Sequence, residues 1–425
     1  MFNFTTNTYE MKREIVNFTK KMSNGLDKPS SKFISDMIYG IEKNQSVLFT
    51  NIARGLSEKT KLKHTIERLC INCNTFNNDK LNILKDNYFK EVEKLLPDDD
   101  ILLIEDDSDI NKEYSKKLED LCIVRDASKQ KETYVNGYHV YEIATLTKNE
   151  KQPISLYSHI YSTESKDFIS CNNETMKSEE YVLNKLKNNK ARKILIKDRG
   201  YDTFELFEKN IKDKISFIVR LDGNRNMLFK GKPRLIKEVA KTRKGKIHTK
   251  LIYKDGNVDS YISYTTVQFP KLKEKDLTLL IIYREGEENN PMYLLTDLEV
   301  KNKEDVLKIA RTYMLRWRIE EYFRAKKQNY DFENFRIRSL KGINTLNTIL
   351  SCVMLHNGIL AEKINKKLLV IKIIEASKSL KNDLLVWYEQ ISNEIKEILK
   401  YAHTGIKEWQ KVEERSKYKQ LELKL

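Results

Sequence analysis

Glycine, cysteine and long apolar runs are all scarce in this chain of 425 residues. Only 13 glycines occur and no Gly-rich phosphate loop is formed from them, which disfavours a P-loop or kinase-like function. The cysteines number 5, odd and without regular spacing, so they do not make a disulfide framework. Cys70 and Cys73 form one CxxC, but a structural zinc site would want a second Cys or His pair. His64 alone lies close, so helix packing is the preferred reading. No stretch of about 18 apolar residues appears, the longest runs being short ones such as 277–283, and the N-terminus lacks a signal-peptide core. A soluble, intracellular protein without a membrane partner is expected. The remaining histidines, His139, His159, His248, His356 and His403, are scattered. Any metal should therefore be held by carboxylates, which points to Mg2+ or Mn2+.

Charge is what the chain has in quantity. Lys and Arg number 78 against 62 Asp and Glu, a formal net charge of +16 that favours polyanions through phosphate neutralisation and counterion release. A Lys-rich composition alone produces the same excess, so motifs must decide. The length calls for about two to four structural units.

Residues 1–96 read as an all-α unit, with apolar positions at three- and four-residue intervals before Pro97. Within it, Leu48, Ile52, Ala53 and Leu56 mark one amphipathic helix and Leu62, Ile66 and Leu69 a second, with Ser57-Glu58-Lys59 as the turn. The pair is similar to a helix-turn-helix in which Lys61, Lys63, His64 and Arg68 face solvent and DNA phosphates. An ordinary helical hairpin with a solvated basic face fits the same pattern. From Ile101 the pattern changes: 101–104 is a short apolar strand ending in Glu105, Asp106 and Asp107. Strands over 138–146 and 154–161, a helix through 179–186, a strand over 193–197 ending at Asp198, and a helix from Phe204 follow. Three strands, a helix, a strand and a helix open the ribonuclease H-like fold, placed here over 97–212. Residues 213–299 read as a β-rich insertion, with strands at 215–221, 250–253, 261–269, 277–283 and 292–298 and a hairpin turn at Asp255-Gly256. The core resumes over 300–370 with a long helix from Lys303, capped by Asn302, to about Gln328. A helical, charged C-terminal region over 371–425 completes an α/β chain.

The most informative segment is 313–327. At ~100° per residue, Tyr313, Arg316, Glu320 and Lys327 share one narrow face, Arg324 joins them, and Leu315, Ile319 and Tyr322 form a buried stripe. A carboxylate among Arg and Lys with an aromatic hydroxyl beside it suits a phosphodiester site, an acidic metal ligand inside a basic phosphate cradle. A solvated helix face with internal salt bridges is the bland alternative. Asp106 and Asp198, on adjacent strands, supply the further ligands that a lone Glu320 lacks. In-line phosphoryl transfer needs an activated nucleophile and a stabilised leaving oxygen, which two cations ~3.5–4 Å apart provide. Strand alternation removes Glu105 and Asp107 from the face of Asp106. Asp202 reads as a helix cap.

These residues resemble an insertion-sequence transposase of the DDE superfamily, in the class named for a Tyr-x2-Arg-x3-Glu-x6-Lys signature. Tyr313, Arg316, Glu320 and Lys327 match at every spacing. Asp106-Asp107-Ser108 is similar to the first motif of that class, its position favouring Asp106 over Asp109, and Asp198-Arg199-Gly200-Tyr201-Asp202 resembles the second. The resemblance spans about residues 40–360. It implies a cut-and-paste reaction with catalytic and metal-ligating Asp106, Asp198 and Glu320, two Mg2+ or Mn2+ ions, and contacts to terminal inverted repeats and target DNA. It also implies a homodimer in the synaptic complex and a bacterial, cytoplasmic, nucleoid-associated location. Helices near Trp387 and Trp409 could supply the dimer contact or simply pack. Members of the class place a tryptophan at the start of the strand before the glutamate helix, where it stacks on a flipped base. Here Met292 stands in its place, followed by Tyr293, and Trp317, Trp387 and Trp409 lie outside the insertion. Either Tyr293 serves as the wedge through a local strand shift, or stacking matters less. A hydrolysis-only ribonuclease H-like nuclease and a catalytically silent DNA-binding descendant are the competing functions.

Overall fold

Every described element before Pro97 is a helix: α1 (Phe4–Met22), α2 (Lys28–Asn44), α3 (Phe49–Leu56), α4 (Leu62–Thr75) and α5 (Asn78–Glu93). The computed structural model describes residues 4–126, 129, 131–149, 151–253, 256–363, 388–402 and 405–406. Local chemistry sets the helix ends. The Asp27 carboxylate accepts from Ser30 N at the start of α2, and Asn77 does the same for Lys80 N at α5. Gly40 lets α2 and α3 cross closely, since a Cβ there would stand 2.5 Å from Ile52 Cγ2. These helices pack on α11 (Leu340–Ala361) and α12 (Tyr388–Lys400), and their apolar side chains join those of the sheet in one core cluster. α11, which falls in the part expected to resume the core, is almost entirely buried along its 22 residues. Among the described residues no helix is long and apolar enough to cross a membrane.

Twelve strands form one mixed sheet. β1 (Asp100–Asn111) is longer than its apolar start suggested, because the acidic run continues to pair with β3 (Tyr134–Leu146) as far as Asn111↔Gly137. Asp106 is thus mid-strand and not at a strand tip. β3 also pairs with the short β2 (Cys122–Arg125) and with β4 (Pro153–Tyr161). After α6 (Cys171–Lys185), β5 (Arg192–Lys197) lies parallel to β1, and after α7 (Phe204–Lys212), β6 (Ser216–Leu221) lies parallel to β5. β6 therefore continues the sheet that holds Asp198.

Residues expected as insertion extend the same sheet. β7 (Asn226–Phe229), β8 (Lys232–Leu235) and α8 (Ile236–Lys241) precede β9 (Ile247–Tyr253), β10 (Gly256–Phe269), β11 (Leu272–Arg284) and β12 (Met292–Thr296). β12 returns to pair antiparallel with β6. β9 and β10 meet at Tyr253↔Gly256, and Asp255 of the expected turn lies outside the described residues.

The Asn302 cap forms as expected: its side chain accepts from Glu304 N and Asp305 N, while Asp305 accepts from Asn302 N. The single long helix does not. It divides into α9 (Lys303–Met314), α10 (Trp317–Arg324) and a π-helical turn, Ala325–Asn329. At the first break, Leu315 N, Arg316 N, Arg318 N and Ile319 N each donate three residues back, tightening the helix. At the second, Lys326 is drawn fully inside, with Nζ 3.0 Å from both Glu142 Oε2 and Asn347 Oδ1.

Candidate active site

The parallel pairing of β1 with β5 ends at Glu105↔Lys197, and the next residue of each strand is an aspartate. Paired residues share a face and neighbours alternate. Glu105 and Lys197 point to the α6 side, where both are fully buried. Asp106 turns to the other side, toward α10. Asp198 follows β5 immediately and precedes a 3₁₀ turn, Arg199–Tyr201.

Three carboxylates from three elements converge on one arginine and one tyrosine. Arg316 Nη1 lies 3.5 Å from Asp106 Oδ2, and Nη2 lies 2.5 Å from Glu320 Oε1. The buried Tyr313 hydroxyl donates to Asp198 Oδ1 at 3.3 Å, and Arg220 Nη1 stands 3.8 Å from the same oxygen. Burial pushes the Asp106 carboxyl up to about 7; Arg316 opposes this, while Asp107, Asp198 and Glu320 add to it by repulsion. Burial works against the Arg316 charge, but Tyr313, Asp198, Asp106 and Glu320 outweigh it and hold its pKa above the usual arginine value. The rest of the acidic run is engaged elsewhere. Tyr201 donates to Asp107 Oδ2 at 2.7 Å, and Asp109 Oδ1 is 2.8 Å from His139 Nδ1.

Among the described residues, no group of three or more His, Cys, Asp or Glu side chains is gathered tightly enough to hold a metal ion. The donor type nevertheless suits a hard cation, and the mutual repulsion around Asp106 is what such an ion would relieve. Arg316 supplies the neutralising charge in this arrangement.

Other expected site residues scatter. Lys327 Nζ donates to the Asp109 carbonyl at 2.7 Å and lies 3.1 Å from Glu333, so it ties the π turn to the end of β1. Arg324 pairs with Glu321 at 2.8 Å and is exposed. At the start of α4, Lys61 and Lys63 are exposed, whereas Arg68 is half-buried and engaged within the protein, spanning Asp36 at 2.8 Å and Glu58 at 3.0 Å. Asp202 does not cap α7. It accepts from Asp222 N and Arg225 Nε, fixing the loop after β6. Cys73 is buried on α4 and its thiol donates to the Gly342 carbonyl. Trp387 and Trp409 lie outside the described residues.

β12 pairs without a register shift, so Met292 and Tyr293 face opposite sides and the local slip that would exchange them is not present. Leu294 pairs with Arg220, which puts Met292 on the face from which Arg220 reaches Asp198. Tyr293 faces the other way, its ring against Gly223. Arg220 itself was missed by sequence reasoning. A lone arginine in the apolar strand 216–221 is the pattern that could have found it.

The model of the family described as the transposase DDE domain matches residues 163–355. That stretch holds Asp198, the strands through β12, and Glu320, and begins after β4, so Asp106 precedes it. The match supports a DDE transposase. No curated protein matches the chain.

Proposed function

We propose that the chain is a DDE transposase of the Tyr-x2-Arg-x3-Glu-x6-Lys class that cuts DNA at the ends of a mobile element and joins the freed 3′ ends to target DNA. The observation that carries this reading is the convergence of Asp106, Asp198 and Glu320 on Arg316 and Tyr313, residues of one helical segment. The strand order β4-β3-β1-β5-β6, with β5 and β6 parallel to β1, supports a ribonuclease H-like core.

Asp106, Asp198 and Glu320 would hold two divalent cations, which activate the attacking oxygen and stabilise the leaving one. Tyr313 holds the Asp198 carboxylate in place. Arg316, released from Asp106 and Glu320, turns to a phosphate beside the cut, and Arg220 and Lys327 add positive charge on either side. Lys61 and Lys63 on α4 contact the backbone of a terminal inverted repeat. Met292 projects from β12 on the side of the cut. Two copies of the chain act together on two ends, in the bacterial cytoplasm beside the nucleoid.

One observation favours a catalytically silent DNA-binding descendant: Arg316 already neutralises two of the three carboxylates. An oligonucleotide carrying one element end, incubated with Mg2+ or Mn2+, separates the readings. Nicking at the end followed by joining is expected, and Asp106→Asn, Asp198→Asn and Glu320→Gln should each abolish cleavage while retaining end binding. Binding without cleavage by the wild type would establish the silent reading, and cleavage without joining a hydrolytic nuclease.

A further inference from the structure

The residues immediately before the two aspartates form a buried charge cluster on the opposite face of the sheet. Lys197 Nζ lies 3.3 Å from Glu105 Oε2 and bonds Glu179 of α6, and all three side chains are completely buried. The Tyr141 hydroxyl donates to Glu105 Oε2 at 2.7 Å. Glu105 Oε1 and Glu179 Oε2 are buried without a hydrogen-bond partner among the described residues, although Lys209 Nζ stands 3.9 Å from Glu179 Oε2. Lys197 lies buried between the two desolvated carboxylates, with the more distant, partly exposed Lys209 beside Glu179, and such a cluster is a poor source of stability, because burying the charges costs about as much as their attraction returns. Its position supplies the alternative reason. Glu105 and Lys197 are the last register pair of β1 and β5, so their ion pair joins the strands at the point where Asp106 and Asp198 leave on the other side.

We propose that Lys197 is a positioning residue: by clamping Glu105 across the final β1–β5 pair, it fixes the separation at which Asp106 and Asp198 share a divalent cation. Tyr141 and Glu179 hold the clamp from β3 and α6. The inference rests on the proposed transposase chemistry, in which those two aspartates are cation ligands.

The test is Mn2+ binding to the full chain without DNA, followed by calorimetry, together with the thermal midpoint. Lys197→Met should weaken Mn2+ binding by about ten- to a hundredfold, the usual cost of losing support behind a metal ligand, with DNA-end binding unchanged. Lys326→Met is the control. It removes the other fully buried ammonium, which pairs with Glu142, and should lower the midpoint with Mn2+ affinity retained. Equal loss of Mn2+ affinity in both variants, or none in Lys197→Met, overturns the proposal. Should Lys197→Met fail to fold, Tyr141→Phe decides. It keeps every charge and removes one hydrogen bond to Glu105, and should weaken Mn2+ binding by about threefold; unchanged affinity there overturns the clamp. A wild-type chain that binds no Mn2+ refutes the metal chemistry itself, and the clamp with it.

Discussion

Arg316 meets Glu320 at 2.5 Å, one helical turn away, and through its other nitrogen touches Asp106. On the proposed metal chemistry, arginine and cation would compete for the same two carboxylates. Arg316→Ala should therefore tighten Mn2+ binding to the free protein, by about tenfold, even as it lowers DNA cleavage by about a hundredfold through loss of a phosphate contact. Calorimetry and a cleavage assay read the two effects separately. Weaker Mn2+ binding in the variant would mean that the guanidinium organises the site and does not compete for it.

Lys326 and Lys327 are adjacent and should behave oppositely. Lys326→Met leaves Glu142 charged and fully buried, a loss of about 3–5 kcal/mol. Lys327→Ala should change stability by less than about 1 kcal/mol but reduce the salt slope of DNA binding by about one unit. Urea denaturation and binding across a salt series check both. A stable Lys326→Met protein would contradict the buried-pair argument.

On α4 the division is similar. Arg68→Ala frees the buried Asp36 and the partly buried Glu58 of one partner and should cost about 1–3 kcal/mol. Lys61→Ala and Lys63→Ala should leave the denaturation midpoint in place and flatten the salt dependence of end binding. An unchanged slope in both would return α4 to an ordinary helix with a solvated face.

Met292 shares its face with Arg220, and on the proposed class membership it would stand in the place of a base-stacking tryptophan. Met292→Trp should therefore speed second-strand cleavage relative to the first nick by about tenfold, or ~1.4 kcal/mol of barrier. Tyr293→Ala should leave that ratio unchanged. Timing the two steps on one end substrate decides between them, and a ratio that responds only to Tyr293 would reverse the assignment.

His139 provides a pH signature. Burial lowers its pKa, but the hydrogen bond to Asp109, with help from Cys122, overcomes that and lifts it to about 10, from an ordinary 6.5. A raised pKa stabilises the fold fully below 6.5, and the contribution disappears as pH climbs toward 10. The stability difference between wild type and His139→Gln should be largest near pH 6 and shrink steadily above 7. A difference that grows with pH would refute the assignment.

The sequence was most readable where structure is made locally. Asn302 caps α9 because its side chain meets amides two and three residues away, and the short apolar run 101–104 marks the start of β1. The second break in the glutamate helix is not legible because its cause is distant: Lys326 is pulled inward by Glu142 on β3 and Asn347 on α11. Arg68 was misread for the same reason, its partner Asp36 lying 32 positions away. β7 and β8, of 4 residues each, are too short to show a period. The pairing of Lys197 with Glu105 could not be read without the order of strands in the sheet.

The return of β12 to β6 carries a mechanical consequence. Four register pairs, Tyr293↔Leu221 through Thr296↔Ile218, join the strand bearing Met292 to the neighbour of the strand that ends at Asp198. Each backbone hydrogen bond in that ladder contributes about 0.5–1.5 kcal/mol, and they would have to break together. The region beyond β6 is therefore no hinged flap that can swing over bound DNA. It is a continuation of the sheet on which the carboxylates are mounted, so that on the proposed function any adjustment would fall to side chains such as Arg316.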